Sequence, residues 1–212
     1  MTSSDAFGIY VHWPFCKAKC PYCDFNSHVA ERVDQYAWLE AYRSEIRRKA
    51  AETHGRVLQT VYFGGGTPSL MAQDVVAGII ECVRDNWPTV NDLEITLEAN
   101  PEDVTEVAAS EWFAAGVNRV SLGVQSFSDA ALRALGRIHG RAEALRAVES
   151  LHGAGSVGGH PLHVLGPHTQ REAIHAGQSG IGRRQRVTGN LDALARAPGG
   201  QEIHAGRTDE VA

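Results

Sequence analysis

Three cysteines lie close together near the start of the chain, and their thiolates are the side chains best suited to chemistry. Cys16, Cys20 and Cys23 have the spacing C-x3-C-x2-C. An apolar core does not gather three thiols in one short loop, and disulfides are rare in cytoplasmic proteins. Two kinds of metal centre remain: a zinc ion completed by His12 or His28, or an iron–sulfide cluster with one iron open to substrate.

A run of glycines forms the second candidate feature. The segment YFGGGTPS, residues 62–69, places Gly64, Gly65 and Gly66 at the end of a predicted strand. Glycine allows backbone N–H and C=O groups to approach a ligand closely. The run matches neither GxGxxG nor a Gly-Lys-Ser/Thr phosphate loop. A tight strand-to-helix turn without a ligand is the alternative interpretation.

Single polar residues follow the next two predicted strands. Glu98 ends the third strand, Gln125 ends the fourth, and Arg137 lies one helix further along. The carboxyl ends of parallel strands form one rim, where α/β folds bind their ligands. We therefore expect these residues, the cysteine loop and the glycine run to form one site.

The elements that must position this site alternate between strands and helices. Such alternation predicts an α/β fold with a parallel sheet and right-handed crossovers. Cys82 lies in the apolar segment AGIIECV and is expected in a helix core, not as a fourth ligand. The predicted strands are 7–13, 57–63, 93–99 and 119–125, and the predicted helices are 31–54, 70–86 capped by Ser69, 102–115 starting after Pro101, 128–135 and 141–152.

Several segments in order resemble one enzyme family. They are GIYVHWPFCKAKCPYCDFNSH, VYFGGGTPSL, LEANPEDV and GVNRVSLGVQSF. The chain is similar, over about residues 7–148, to the radical S-adenosylmethionine (SAM) family around oxygen-independent coproporphyrinogen III oxidase. The resemblance implies a partial radical SAM (βα) barrel, with about four βα units of the usual six. It also implies a [4Fe-4S] cluster on Cys16, Cys20 and Cys23, with SAM on the open iron, cleaved to a 5'-deoxyadenosyl radical.

The resemblance further implies which residues contact the cofactors. These roles suit the chemistry, because a carboxylate accepts bonds from vicinal hydroxyls and a guanidinium binds a carboxylate through two N–H groups. No residue is assigned a catalytic role. The implied contacts are Tyr10 and Tyr22 beside the cluster and SAM, Gly65, Gly66 and Thr67 at the methionine part, Glu98 and Gln125 at the ribose, and Arg137 at the carboxylate.

One position separates two branches of this family. True coproporphyrinogen oxidases typically have C-x3-C-x2-C-x-C, whereas this chain has Phe25 at the last position. The phenylalanine favours the branch of bacterial haem chaperones, which bind haem and transfer it to acceptor proteins; the oxidase is the alternative. The resemblance implies haem or a porphyrin as ligand, an unnamed haem acceptor, and an electron donor such as flavodoxin or ferredoxin.

Composition excludes several other classes of protein. Twenty Lys and Arg against 25 Asp and Glu give a net charge of -5, which does not favour nucleic acid as a partner. The N-terminus MTSSDAFGIY has neither a basic region nor a long apolar run, so no signal peptide or membrane span is expected. We therefore expect a cytoplasmic protein.

The end of the chain differs in composition from the rest. All aromatic residues lie between Phe7 and Phe127, while residues 149–212 are rich in Gly, His and Arg. We expect a radical SAM core over 1–148 and a disordered or out-of-frame tail over 149–212. The rival hypothesis is a tail that binds metal or haem, and its candidate ligands are His160, His163, His168 and His175.

The missing part of the family's barrel predicts a defect in this chain. No fifth strand is apparent after residue 148, since Gly158, Gly159, Pro161 and Pro167 interrupt the next Val/Leu-rich stretch. We expect the edge of the fourth strand to stay unpaired and to promote association. We also expect weak SAM binding and an impaired enzyme.

Overall fold

A computed structural model describes residues 7–155, 162–164 and 185–187. Six parallel strands form the main sheet in the order β7-β6-β5-β4-β1-β8, and β2 and β3 form a separate parallel pair. The parallel α/β architecture expected from the sequence is confirmed. The strands are β1 (Phe7–Trp13), β2 (Phe15–Cys16), β3 (His28–Val29), β4 (Leu58–Gly65), β5 (Thr89–Ala99), β6 (Arg119–Leu122), β7 (Leu162–Val164) and β8 (Gln185–Val187).

Five helices connect these strands, and most of their ends have a local cause. The side chains of Asp34, Thr105 and Ser128 each accept a hydrogen bond from a backbone N–H in the first turn. Gly116 ends the third helix with a φ of 107°, a conformation that favours glycine. The helices are α1 (Gln35–Glu52), α2 (Gln73–Asn86), α3 (Glu106–Ala115), α4 (Asp129–Ala134) and α5 (Arg141–Gly155).

The two faces of the sheet have different chemistry. In β1, alternate residues such as Ile9, Val11 and Trp13 are fully buried, and the Trp13 ring packs 6.0 Å from that of Trp38 in α1. The residues between them, such as Tyr10, are only partly buried. Because side chains alternate along a strand, one face packs against helices and the other carries the polar groups.

Register aligns those polar groups across the sheet. Tyr10 pairs with Tyr62, and Tyr62 pairs with Thr96. Glu98 pairs with Ser121 further along. The parallel strands therefore bring polar side chains from separate parts of the sequence onto one face and to one rim.

Both edges of the four-stranded centre carry a further strand. Leu122 of β6 pairs with Val164 of β7, and Ile9 of β1 pairs with Gln185 of β8. The prediction of an unpaired edge on the fourth strand is therefore wrong. A strand of three residues is too short to show periodicity, and helix α5 returns the chain to that edge. Gly158, Gly159, Pro161 and Pro167 lie outside the described residues.

Two predicted helix starts differ from the structure. The side chain of Ser69 does not cap α2, which begins after Ala72; instead Ser69 lies in a short 3-10 turn, Pro68–Leu70. Likewise, Pro101 starts a 3-10 turn, Pro101–Asp103, ahead of α3. Proline suits a first helical position. In neither turn does the polar residue after the proline cap the longer helix that follows.

Some of the sequence-based expectations concern residues that the structure leaves out. Of the four tail histidines, His160, His168 and His175 lie outside the described residues, and His163 belongs to β7. Within the described part of the chain, no helix combines the length and apolar character needed to cross a membrane.

Candidate functional site

The carboxyl ends of the central strands surround one cleft of about 470 Å³, counted out to the open solvent. The cysteine loop follows β1, the glycine turn ends β4, and Glu98 and Asn100 lie at the end of β5. Most of the residues predicted from the sequence meet here. The cleft is lined by Cys16, Cys20 and Cys23 with Tyr22, Gly65, Gly66, Thr67, Glu98 and Arg137.

The cysteine loop is held by its own backbone and by lysines. The N–H of His28 donates to the carbonyl of Pro14 over 2.7 Å, next to the β2–β3 pairing. Lys19 donates to the carbonyls of Phe25 at 3.3 Å and Ser27 at 3.2 Å. Lys17 forms an ion pair with the buried carboxylate of Asp103. These contacts fold the loop back over the rim.

All three loop cysteines are free thiols. Cys16 is buried, whereas Cys20 and Cys23 are partly accessible from the cleft. The N–H of Cys23 donates to the carbonyl of Cys20 over 3.0 Å, so these two follow each other round a tight turn. Cys82 is buried in α2, away from the loop, as expected.

Arg137 brings a positive charge to the cysteines. Its Nη1 donates to Sγ of Cys20 at 3.4 Å and lies 3.5 Å from the Tyr22 hydroxyl. Its Nη2 donates to Oδ1 of Asn100 at 2.7 Å and to the carbonyl of Gly123 at 3.1 Å. Burial lowers the pKa of Arg137, but Tyr22 and Cys20 more than offset this and raise it. The guanidinium therefore stays charged beside the thiol.

Glu98 is a partly buried carboxyl group at the cleft. Burial raises its pKa to about 7, although hydrogen bonds from Tyr62 and the backbone of Gly65 oppose the shift. The Tyr62 hydroxyl donates to Oε1 over 2.7 Å. Near neutral pH the carboxyl group therefore exchanges its proton readily, and it can accept or donate a hydrogen bond to a ligand.

The glycines at the end of β4 are needed partly for packing and backbone conformation. A Cβ on Gly66 would lie 2.5 Å from the carbonyl oxygen of Phe15, and Gly65 has a φ of 112°. The N–H of Gly66 donates to Trp13 and that of Thr67 donates to Phe15. These two N–H groups are thus used by the β1–β2 backbone. The contact of Gly65, Gly66 and Thr67 with the methionine part of SAM stays a prediction, and it would use groups other than these two N–H donors.

Two predicted site residues stand apart from the cleft lining. Tyr10 stacks on Tyr62 with ring centres 5.8 Å apart, on the polar face of the sheet. Gln125 is 4% exposed and has a φ of 64°, and neither its Oε1 nor its Nε2 has a hydrogen-bond partner among the described residues. A buried amide without a partner is unusual in a folded protein.

The sequence reasoning missed several residues that hold the site together. Asn100 links Arg137 to Thr67, since its Nδ2 donates to Oγ1 of Thr67 at 3.4 Å. Asp103 also accepts a bond from Ser69 at 2.8 Å. Asn100 could have been found, because it follows the third strand at the same rim as Glu98. Asp103 had no comparable signal.

The zinc hypothesis needs a fourth ligand beside converging thiols. Nε2 of His12 donates to the carbonyl of Asn26 at 3.0 Å, and His28 is exposed. Across the described residues, no group of three or more His, Cys, Asp or Glu is placed to hold one metal ion. All three cysteines line the cleft, which suits a cluster whose irons each take a separate thiolate.

Comparisons with known proteins agree with the sequence motifs. The family model described as the radical SAM superfamily matches residues 10–176. The Heme chaperone HemW of Escherichia coli (strain K12) is 41% identical over 156 residues, covering 73% of this chain and 41% of that protein. HemW of Mycobacterium tuberculosis is 42% identical over 143 residues, covering 65% and 37%.

Solved structures show the same fold. Coproporphyrinogen III oxidase (HemN) from Escherichia coli, a radical SAM enzyme, superposes with a TM-score of 0.67 at 22% identity, covering 88% of this chain and 45% of that one. The structure of anSMEcpe with bound AdoMet gives 0.55 at 16% identity, covering 87% and 52%. The chain spans about two fifths of the length of the curated relatives given above.

Proposed function

The chain belongs to the radical SAM superfamily, and we propose that it binds a [4Fe-4S] cluster and SAM and acts as a haem chaperone of the HemW type. One observation supports this proposal most: three free thiols, Arg137 and Glu98 all line one cleft. When bound, such a cluster supplies an electron to SAM. A reductant such as flavodoxin or ferredoxin would supply that electron to the cluster.

The cysteine loop provides the cluster ligands in this proposal. Cys16, Cys20 and Cys23 lie on the cleft as free thiols, and Lys19 and Arg137 add positive charge nearby. The three thiolates leave one iron for SAM.

The remaining cleft residues suit the two polar ends of SAM. Arg137 lines the cleft, and a guanidinium group is suited to pair with the carboxylate of SAM. Glu98 lies at the next strand end, where its carboxyl group can bind ribose hydroxyls. Tyr62 holds Glu98 in place through the bond of 2.7 Å.

Haem chaperone activity is the finer part of the proposal. It is supported by the relatives named as heme chaperones. It is also supported by Phe25, which lines the cleft and stands where the oxidases typically carry a further cysteine. The likeness to coproporphyrinogen III oxidase at 22% identity concerns the fold. The oxidase remains the second candidate function.

Reconstitution of the 212-residue chain with iron and sulfide under anaerobic conditions tests the cluster. We expect about four irons per chain, an oxygen-sensitive absorbance, and loss of both in C16A, C20A and C23A. C82A is the matched control and should keep the cluster, because Cys82 packs in α2. One stoichiometric zinc without an iron signal contradicts the proposal and supports a zinc-binding structural module.

Haem titration separates the chaperone from the oxidase. With the cluster in place, we expect the chain to bind haem with a shift of the haem absorbance. Conversion of coproporphyrinogen III to protoporphyrinogen IX by the same preparation, with SAM and a reductant, would overturn the chaperone assignment.

A further inference from the structure

We propose that His139, paired with Glu102, is a positioning residue that fixes the backbone turn presenting Gln125 to the SAM site. The inference rests on the proposed SAM binding for the ligand, but the backbone contacts themselves do not depend on it. His139 lies between α4 and α5, outside the cleft lining, and its side chain is fully buried.

The turn at Gln125 is strained. Its φ of 64° makes Gln125 the one non-glycine residue with positive φ in the described part of the chain. The N–H of Ser126 donates to the carbonyl of Val124 over 2.8 Å, which closes a γ-turn around Gln125. A γ-turn with positive φ at its centre is rare, and such strain persists only where surrounding contacts hold it.

His139 holds the carbonyl that closes this turn. Its Nε2 lies 3.0 Å from the carbonyl oxygen of Val124. A carbonyl only accepts, so Nε2 carries the proton and donates. The same oxygen thus accepts from both His139 and Ser126, and the imidazole fixes the orientation of the Val124–Gln125 peptide.

Glu102 holds the opposite side of the imidazole. Its Oε2 lies 3.2 Å from Nδ1 of His139, within ion-pair distance but outside hydrogen-bond alignment. Burial raises the pKa of Glu102, whereas His139 and Arg137 lower it, and the net shift is downward. When Nδ1 also carries a proton, the carboxylate attracts that side of the ring, so that Nε2 faces Val124.

Arg137, two residues before His139, makes a similar contact with the backbone carbonyl of Gly123. Its Nη2 donates to the carbonyl of Gly123 and to Asn100, while His139 binds the next carbonyl, Val124, and faces Glu102. Two consecutive carbonyls before Gln125 are therefore held by residues of one short segment. That segment is itself anchored at the end of β5.

The held turn places the amide of Gln125 beside Gly123. A Cβ added to Gly123 would lie 3.3 Å from Nε2 of Gln125 and 3.2 Å from Oδ1 of Asn100. Gly123 and Asn100 line a small second cavity together with Glu98, and Glu98 and Asn100 also line the cleft. An amide held here, buried and without a partner in the described part of the chain, is suited to hydrogen-bond a ribose hydroxyl next to Glu98.

SAM affinity of the reconstituted holoprotein is the first test. H139A removes the donor to Val124, and we expect its Kd for SAM, by equilibrium dialysis, to rise about tenfold while iron content stays the same. H139Q keeps an amide donor and should recover most of the affinity. H54Q is the matched control, because His54 is exposed in the turn after α1.

Hydrogen exchange without SAM is the second test, and it does not depend on the proposed function. The Ser126 amide should exchange about tenfold faster in H139A than in H54Q, with H139Q between them. Unchanged exchange at Ser126, or SAM affinity equal to that of the wild type, overturns the positioning role. A wild type that binds no SAM overturns the proposed function instead, and the exchange result still decides the inference.

Should H139A fail to fold, Glu102 provides the substitute comparison. E102A removes the partner of Nδ1, while E102Q keeps a polar one. We expect faster exchange at Ser126 in E102A than in E102Q. Equal rates in the two variants contradict the inference.

Discussion

Arg137 donates a hydrogen bond to the thiol of Cys20 over 3.4 Å, although 117 positions separate them in sequence. The contact joins the loop after β1 to the segment after α4. The same guanidinium reaches Asn100 and Gly123. One side chain thus connects three strand ends and the proposed cluster loop.

Replacing Arg137 should separate SAM binding from cluster binding. In R137K the branched pattern of donors is lost, and a hydrogen bond to a charged group contributes about 1.5–3 kcal/mol. We expect the Kd for SAM to rise about tenfold to a hundredfold, measured by equilibrium dialysis, with iron content unchanged. R133K, on the exposed face of α4, is the control. Equal affinity in the two variants would show that Arg137 does not bind SAM.

Glu98 should make folding stability depend on pH. Its pKa is raised from 4.5 to about 7 in the folded state, so folding takes up a proton between those values. The stability contributed by this group is therefore present below about pH 4.5 and is lost as the pH rises through 7, by up to about 3 kcal/mol. Denaturant unfolding of the wild type and E98Q at several pH values measures it.

The comparison with E98Q should isolate the contribution of the Glu98 carboxyl group to the pH dependence of folding stability. Relative to E98Q, the wild type should lose stability between pH 5 and pH 8, because the glutamine carries no titrating proton. E111Q, at an exposed position in α3, should follow the wild-type curve. A constant difference between wild type and E98Q across this pH range is the contrary result.

Asp103 should protect the cluster by holding the cysteine loop. Its buried carboxylate pairs with Lys17 and accepts a bond from Ser69, and loss of a buried acceptor costs about 1–3 kcal/mol. We expect D103A to release iron to a chelator several times faster than the wild type. D92A, exposed in β5, is the control. Identical release rates would argue against this role.

Gly66 should be required for the position of the cysteine loop. A Cβ there would meet the Phe15 backbone, which cannot shift cheaply, so G66A should lose about 1–3 kcal/mol of stability and bind less iron. Gly55 has a φ of 81° but nothing within 4 Å of an added Cβ. G55A should therefore lower Tm without lowering iron content. Full iron content in G66A is the opposing outcome.

Local patterns in the sequence determined much of the fold. The first strand was predicted over 7–13 and is observed as Phe7–Trp13. Ser128 caps α4, and Gly116 ends α3, as expected. These features depend on neighbouring residues alone, because caps, turns and alternation act within a few positions. The family was likewise readable, since its motifs are contiguous.

Tertiary structure decided what each of these residues touches. Nothing near His139 in the sequence indicates its contact with Val124, and nothing near Cys20 indicates Arg137. The N–H of Gly66 turned out to serve Trp13. The edge strands β7 and β8 are three residues each and show no period of their own. Such pairings arise only when the packed sheet brings distant segments together, so their partners cannot be found from local propensity.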